Sequence, residues 1–140
     1  MQVAELMSRD VEFIAAEASV REAAELMGEL DVGALPVGEP GAIEGILTDR
    51  DILYRVVAAG LDPNTTTVGA VQSRPVIACA PTDTARAAMD LMAAHHVRRL
   101  PVRDREGRVA GWITLADLSR ALLIGSATLQ GALQALTEER

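Results

Sequence analysis

Residues 45–51 read Gly-Ile-Leu-Thr-Asp-Arg-Asp, and residues 111–117 read Gly-Trp-Ile-Thr-Leu-Ala-Asp. Each heptapeptide follows an apolar run and opens an amphipathic run, which places it where a strand passes into a helix. A threonine and an aspartate three residues apart at a helix start form a capping arrangement. The positive end of the helix dipole lies at the same place and attracts polar ligands. We therefore expect the function of the chain to depend on these two junctions.

The composition indicates a small aliphatic core. The chain has 140 residues, of which 49% are hydrophobic and only 2% are aromatic. This length suits one domain or two small halves that share a core. The net charge is −7 and there is no basic tail, which argues against nucleic acid or an acidic membrane surface as a partner.

Cysteine content and hydropathy indicate the compartment. Cys79 is the single cysteine, so the sequence excludes an internal disulfide and a cysteine-based zinc finger. The first residues lack the order of a signal peptide, and no apolar run reaches the ~18 residues of a membrane span. We expect a soluble cytoplasmic protein with no membrane partner.

The chain contains two copies of one unit. Three positions recur at a spacing of 65 residues, where Val3, Met27 and Pro36 match Val68, Met92 and Pro101. Three more recur at a spacing of 66 residues, where Gly45, Thr48 and Asp51 match Gly111, Thr114 and Asp117. The additional residue lies in the polar turn Arg103–Arg108, and a structural duplication tolerates an insertion in a turn.

Periodicity and turn chemistry predict the elements of the first copy. A capping box at Ser19–Glu22 opens a helix with the apolar stripe Ala23, Leu26, Met27 and Leu30. The second helix starts at Asp49, ends at Gly60 and buries Ile52, Leu53, Val56 and Val57. The other predicted elements are a short helix (Val3–Met7) and three strands (Val11–Ala15, Val32–Val37 and Ile43–Leu47).

The second copy repeats this order. Its predicted elements are a short helix (Val68–Val71), three strands (Val76–Ala80, Arg99–Val102 and Val109–Thr114), a helix capped by Asp83 or Thr84, and a helix through Leu123. We divide the chain into repeat 1 with its linker (residues 1–64), repeat 2 (residues 65–125) and a C-terminal helical tail (residues 126–140). The tail presents Leu129, Leu133 and Leu136 on one face, to the body or to a second subunit.

The predicted fold class is α+β, with two βαββα repeats. A unit of roughly sixty residues has difficulty burying its own core. We therefore expect the two repeats to pack sheet to sheet as a pseudo-two-fold pair, which leaves two related clefts.

With these features, the sequence resembles a tandem pair of CBS domains over about residues 2–123. The features that match are the helices ending in Met27 and Met92, the Leu-Pro-Val strands at 35–37 and 100–102, and both Gly-x-x-Thr-x-x-Asp motifs. Within the family the chain is similar to stand-alone two-domain proteins of the hypoxic-response type. The sequence segments that carry this similarity are residues 33–36, 47–51 and 59–64.

The resemblance implies a regulatory module without catalytic activity, with roles in energy sensing and the bacterial stress response. Such pairs commonly bind AMP, ADP, ATP, S-adenosylmethionine or NADH in their clefts. By similarity, the motif aspartate holds the ribose hydroxyls and the threonine lies by the phosphate, which assigns Thr48 with Asp51 and Thr114 with Asp117. Backbone groups of each first strand, at Ile14 and Cys79, would contact the adenine. No cofactor is certain, and Mg²⁺ is a candidate beside the nucleotide.

The chemistry of the residues agrees with a nucleotide. A carboxylate accepts two hydrogen bonds from a cis-diol, at about 1.5–3 kcal/mol each before desolvation. A phosphate needs cations, and the candidates are Arg98 and Arg99 with His95 and His96, then Arg9 and Arg74. The first copy has Gly33-Ala34 in place of the Arg98-Arg99 pair. We therefore expect the two clefts to be occupied unequally by ligand, with one strong site at most. Thr48 and Asp51 with Arg98 and Arg99 form the site with more donors for a phosphate.

Each of these assignments has a structural alternative. The threonine–aspartate pairs serve helix capping alone, and Arg98/Arg99 form a surface pair. His95 and His96 are a polar helix end or a weak metal site that Asp31 or Asp90 completes. Cys79 is buried filler or a redox sensor, and Trp112 is a core residue, a dimer contact or a base-stacking residue.

Two further hypotheses compete with nucleotide sensing. One is a protein-interaction module with empty clefts, and the other is a metal sensor that uses His95/His96. A homodimer is expected in each case, together with a downstream protein that the sequence does not name. No set of nucleophile, base and orienting residue supports an enzyme.

Overall fold

The computed structural model describes residues 1–123, 131 and 134–137. In chain order the elements are α1 (Val3–Leu6), α2 (Val20–Leu30), β1 (Ala34–Glu39), β2 (Ala42–Thr48), α3 (Asp49–Ile52), a π-helical segment (Leu53–Val57), α4 (Val68–Val71), α5 (Ala85–His95), β3 (Arg99–Arg103), β4 (Val109–Thr114) and α6 (Leu115–Leu122). Residue 131 and residues 134–137 are helical. In the predicted tail stripe, Leu136 is exposed, whereas Leu129 and Leu133 lie outside the described residues.

Each repeat contains one two-stranded antiparallel sheet. β1 pairs with β2, with Ala34 opposite Thr48, and β3 pairs with β4, with Arg99 opposite Thr114. Both pairs have a register shift near the outer end of the first strand, between residues 37 and 38 and between residues 102 and 103. The predicted α+β class is confirmed.

The chain forms two compact units whose ends differ from those of the sequence repeats. One unit is Val11–Ile77, and the other combines Met1–Asp10 with the chain from Ala78 onward. The first residues join the second repeat by backbone bonds such as Val3 N to Asp83 O at 2.9 Å. We call residues 2–9 and 67–74 the crossing segments, because each packs in the unit that contains the other repeat's motif. The division at residues 64 and 125 describes the repeats along the sequence.

The predicted strands Val11–Ala15 and Val76–Ala80 are wrong. Each segment makes one isolated parallel bridge, between Ile14 and Val37 or between Cys79 and Val102. Ile14 N donates to the Pro36 carbonyl at 3.0 Å, and the adjacent rung, at Glu12, would need an N–H from Pro36. Proline has none. Pro101 holds the same position in the second copy, so the ladder stops there too.

The core of the Val11–Ile77 unit lies between α2 and the β1–β2 sheet. Its buried residues are Val20, Ala23, Met27, Leu35, Val37, Leu47, Val56, Val68 and Val71. The predicted helix stripe is confirmed at Ala23 and Met27, and Leu26 packs against them while partly exposed. Leu30 is exposed, because it ends the helix where Asp31 reverses the chain with a φ of 56°.

The second helix of repeat 1 differs from the prediction. One α-helical turn is followed by the π-helical segment, whose i+5 bond runs from Ala58 N to Leu53 O at 2.9 Å. The wider turn leaves Val56 buried, with Leu53 53% and Val57 65% exposed. The predicted burial of Leu53 and Val57 is therefore wrong. Gly60 follows the helix with a φ of 72°, as predicted for its end.

The other unit repeats this architecture with α5 and the β3–β4 sheet. Its buried apolar residues include Val3, Ala85, Ala88, Met92, Leu100, Val102, Ile113 and Leu118. Trp112 is partly exposed, and its backbone pairs with Ser8. In the part of the chain that the structure describes, no helix is both long and apolar enough to span a membrane.

Candidate functional site

The first junction is a reciprocal cap. Thr48 ends β2, and its hydroxyl accepts a hydrogen bond from Asp51 N at 3.0 Å. The Asp51 carboxylate accepts in turn from Thr48 N at 3.0 Å. The capping predicted from the spacing is therefore confirmed, and it fixes the position of the carboxylate.

The second junction has the same geometry. The Thr114 hydroxyl accepts from Asp117 N at 3.2 Å, and the Asp117 carboxylate accepts from Thr114 N at 3.1 Å. Both copies thus place one carboxylate at the end of a strand.

The motif glycines admit the crossing segments. A Cβ atom on Gly45 would lie 2.9 Å from the Ser73 carbonyl oxygen, and one on Gly111 would lie 2.7 Å from the Ser8 carbonyl oxygen. Ser73 N donates to Ile46 O at 2.7 Å, and Ser8 N donates to Trp112 O at 2.8 Å. Each crossing segment therefore runs directly beside a motif.

Asp51 is enclosed by side chains that the sequence analysis missed. The Ser73 hydroxyl donates to Oδ1 at 2.9 Å and to Oδ2 at 3.1 Å. Arg55 Nη1 lies 3.7 Å from Oδ1. The i+4 spacing of Asp51 and Arg55 is a signal that could have indicated this ion pair. Ser73 lies 22 residues away, and only the fold brings it close.

Asp117 has different neighbours. Arg120 Nη2, on the same helix, donates to its Oδ1 at 3.1 Å. Ser8 occupies the position equivalent to Ser73, yet its hydroxyl accepts from Asp10 N at 3.3 Å. The two junctions therefore share their capping and differ in what surrounds the carboxylate.

Each secondary arginine lies in the unit that contains the other repeat's motif. Arg74 follows Ser73, so it lies in the same unit as Thr48 and Asp51, and Arg9 follows Ser8 in the unit of the second motif. Both arginines are exposed. With the Gln72 amide oxygen turned towards it, Arg74 donates to that oxygen from Nε at 3.1 Å and from Nη2 at 2.6 Å.

Arg98 and Arg99 begin β3 beside the second motif. Arg99 lies opposite Thr114, and the Arg98 carbonyl accepts from Leu115 N at 2.7 Å. Arg98 is exposed and Arg99 is partly exposed. That they bind the phosphates of a ligand held at the Thr48/Asp51 motif stays a prediction.

The histidine pair lies at the end of α5. His95 is the last helical residue, and His96 ends the helix with a φ of 54°. Both are exposed. Among the described residues, no group of three or more histidine, cysteine, aspartate or glutamate side chains is arranged to hold a metal. Asp90, one predicted helper, pairs with Arg86 at 3.3 Å.

The predicted adenine contacts already have backbone partners. Ile14 N donates to Pro36 O and its carbonyl accepts from Gly38 N, while Cys79 N donates to Pro101 O. The Cys79 side chain is buried. Burial, and to a smaller extent the charge of Asp83, raises the pKa of the thiol to about 11. The thiol is therefore neutral at pH 7 and packs as an apolar side chain.

Two depressions are lined by residues other than the paired threonines and aspartates, and the second lies next to the first pair. One, of about 290 Å³, is lined by Ala80, Pro81, Thr82, Arg103, Asp104, Arg105 and Glu106. The other, of about 510 Å³, is lined by Asp49, Arg50, Leu53 and Tyr54. Neither contains a motif carboxylate that is free to bind a diol.

Comparison with known proteins decides the family. The family model of the CBS domain matches residues 3–58 and 68–124, once per repeat. The chain is a tandem pair of CBS domains. The CBS pair is 39% identical over 117 residues to the CBS domain-containing protein YhcV of Bacillus subtilis, spanning 84% of this chain and 82% of that relative.

The resemblance to hypoxic-response proteins is also confirmed. Hypoxic response protein 1 of Mycobacterium tuberculosis is 37% identical over 119 residues, spanning 84% of the CBS pair and 82% of the relative. A solved structure of Hypoxic Response Protein I with two coordinated zinc ions has a TM-score of 0.77 at 34% identity, covering 86% of this chain and 98% of that chain. The hexameric CBS-CP12 protein from bloom-forming cyanobacteria has a TM-score of 0.74 at 28% identity, covering 91% and 74%. The CBS pair is thus a regulatory module.

Proposed function

We propose that the CBS pair binds an adenosine compound at its threonine–aspartate junctions and transmits its presence as a conformational change or a change of partner. The observation that supports this most is that each capped carboxylate shares a unit with an exposed arginine of the crossing segment that packs against its motif. Asp51 has Arg74 on the adjoining crossing segment, and Asp117 has Arg9. A ribose phosphate needs a carboxylate that accepts hydrogen bonds from its diol and an arginine that donates to its phosphate.

The ribose is the part of the ligand that the motifs recognise. Each carboxylate uses one oxygen for its own cap, to Thr48 N or Thr114 N. Carboxylate oxygens have further lone pairs, and these accept from the 2′- and 3′-hydroxyls. The cap holds the carboxylate in place before binding, which lowers the entropy lost on association.

The phosphates bind to arginine. Arg74 and Arg9 are the candidates within the same unit as each motif, and Arg98 and Arg99 keep their predicted role at the first motif. Mg²⁺ accompanies a di- or triphosphate. The adenine lies against the extended segments at Ile14 and Cys79. Since the N–H and the carbonyl groups of these two residues all have backbone partners, the adenine uses neighbouring backbone groups or the second lone pair of a carbonyl oxygen.

Zinc sensing is the second candidate function. It is favoured by the likeness to Hypoxic Response Protein I, whose solved structure holds two coordinated zinc ions. The ligands in this chain would be His95 and His96, both exposed at the end of α5. A zinc-induced stabilisation that disappears in a His95→Ala/His96→Ala variant would support this function.

The CBS pair acts as a homodimer in the cytoplasm and regulates a further protein, in energy sensing or a stress response, rather than catalysing a reaction. The homodimer is supported by apolar residues that are exposed on the second helix of repeat 1 and just after it, namely Leu53, Tyr54, Val57 and Leu61. A related CBS protein is hexameric.

Thermal melting in the presence of AMP, ADP, ATP, S-adenosylmethionine, NADH and Zn²⁺ tests the proposal. A ligand at 100 times its dissociation constant stabilises the protein by about 2.7 kcal/mol, which raises the Tm by several degrees. The 2′-deoxy form of the active nucleotide should have a smaller effect, because it lacks half of the diol. The shift should also disappear in an Asp51→Ala/Asp117→Ala variant. The absence of any nucleotide shift would favour the interaction module.

A further inference from the structure

We infer that Ser73 and Arg55 hold the Asp51 carboxylate closed, so that the Asp117 junction binds ligand first and the Asp51 junction binds only by releasing its crossing segment. This inference deepens the proposed function and rests on it for the ligand. The closed contact itself is a property of the unliganded chain.

The Asp51 carboxylate is occupied on both oxygens. Ser73 Oγ lies 2.9 Å from Oδ1 and 3.1 Å from Oδ2, and Thr48 N also donates to Oδ2. Only 9% of the Asp51 side chain is exposed. Each oxygen keeps a lone pair, but because the carboxylate is buried beneath the crossing segment, a cis-diol reaches both oxygens only by displacing the Ser73 side chain.

Arg55, on the second helix of repeat 1, binds the backbone of the crossing segment that contains Ser73. Its Nη1 donates to Val71 O at 2.9 Å and to Gln72 O at 3.1 Å, and lies 3.7 Å from Asp51 Oδ1. One guanidinium thus contacts both the carboxylate and the carbonyls just before Ser73. Arg55 belongs to the π-helical segment, a form that is rare and often found at functional positions.

The second junction lacks this closure. Ser8 has the same backbone pairing as Ser73, with Ser8 N to Trp112 O and Trp112 N to Ser8 O both at 2.8 Å. Its hydroxyl, however, accepts from Asp10 N, and Asp117 bonds instead to Arg120 on its own helix. The Asp117 side chain is 28% exposed, about three times the exposure of Asp51. A diol can reach Asp117 while the crossing segment stays in place.

The consequence is a difference in signalling between the junctions. Residues 72–74 lead along the chain to Ala78, where the other unit resumes. Displacement of Ser73 by a ribose hydroxyl loosens this connection, whereas occupation of Asp117 has no equivalent effect. Ser73 and Arg55 therefore determine which junction binds tightly and which one reports the ligand. This order reverses the one expected from Arg98 and Arg99.

Hydrogen exchange on the ligand-free protein tests the closure directly. Ser73→Ala should speed amide exchange in residues 71–74 about fivefold, the loss expected for one hydrogen bond. Ser73→Thr keeps the hydroxyl and should restore slow exchange. Ser8→Ala is the matched control and should change exchange at residues 7–9 less than twofold. Equal effects of Ser73→Ala and Ser8→Ala would overturn the inference. If Ser73→Ala does not fold, Arg55→Gln gives the same readout at Val71 and Gln72.

Calorimetric titration with AMP, ADP and ATP tests the order of binding. Asp117→Asn should abolish the strongest binding event of the wild-type protein, and Ser73→Ala should tighten binding at the other junction at least fivefold. Abolition of that event by Asp51→Asn instead would overturn the inference and leave the proposed function standing. If neither these nucleotides nor S-adenosylmethionine and NADH bind any variant, the proposed function fails, while the exchange experiment still decides whether the closure exists.

Discussion

Gly45 and Ser73 approach so closely that a Cβ atom on Gly45 would lie 2.9 Å from the Ser73 carbonyl oxygen. Gly111 and Ser8 repeat the relationship at 2.7 Å. The motif glycine is therefore required for packing against a segment that comes from the other repeat. This contact explains why a capping motif begins with glycine, and it ties each junction to a crossing segment.

Replacement of the motif glycine should destabilise the fold. Gly45→Ala should lower the free energy of unfolding by about 1–3 kcal/mol, the usual cost of overpacking. Gly28→Ala in α2 is the control, since an added Cβ there meets nothing within 4 Å. The control should stabilise the helix by about 0.5–1 kcal/mol. Urea unfolding measures both, and a tolerated Gly45→Ala would show that the crossing segment gives way.

The capping threonines should contribute alike in the two repeats. Thr48→Ala and Thr114→Ala should each lower the free energy of unfolding by about 0.5–2 kcal/mol, because each removes a side-chain cap. Thr48→Ser and Thr114→Ser keep the hydroxyl and should retain most of this stability. Equal stability of the alanine and serine variants would mean that the hydroxyls do not cap the helices.

Cys79 should make stability fall in alkaline solution. Its pKa rises from 9.0 to about 11 on folding, so the folded protein keeps a proton that the unfolded chain loses between these values. The stabilisation from the neutral thiol is complete below pH 9 and is lost as the pH rises through 11, by about 2–3 kcal/mol in all. The sequence has no lysine, which removes a common background titration. Urea unfolding at pH 8 and pH 10.5 should show this loss, and Cys79→Ala should reduce it.

The exposed apolar residues of the π-helical segment should support the homodimer. Leu53→Asp/Val57→Asp should reduce the mass seen in sedimentation equilibrium from dimer to monomer, because charged groups resist burial in an interface. Leu30→Asp, at an exposed leucine on α2, is the control and should leave the mass unchanged. A wild-type protein that is already monomeric would contradict the predicted assembly.

The sequence predicted what depends on local chemistry. Caps, turns and the order of the helices and paired strands follow from residues within a few positions of one another, and the reciprocal caps at Thr48 and Thr114 are where the spacing placed them. The repeat made the family resemblance specific, because two motifs in register are hard to produce by chance.

The features that the sequence did not predict depend on distant residues or on missing donors. Pro36 and Pro101 stop the ladders of the first strands because they lack an N–H, although the flanking residues favour strands. The π-helical segment changes which residues of the second helix face the core. The contact between Ser73 and Asp51 joins residues 22 positions apart, and no local pattern indicates it.

The most direct test of nucleotide sensing is calorimetric titration of AMP, ADP and ATP into the wild-type CBS pair and into an Asp51→Asn/Asp117→Asn variant. Asp90→Asn, which changes an exposed carboxylate paired with Arg86, is the control with one carboxylate removed. We expect at least one nucleotide to bind the wild-type protein and Asp90→Asn equally. The double variant should bind it at least tenfold more weakly, because it loses charged acceptors for the diol. Equal binding by the double variant, or no binding by the wild-type protein, would contradict nucleotide sensing.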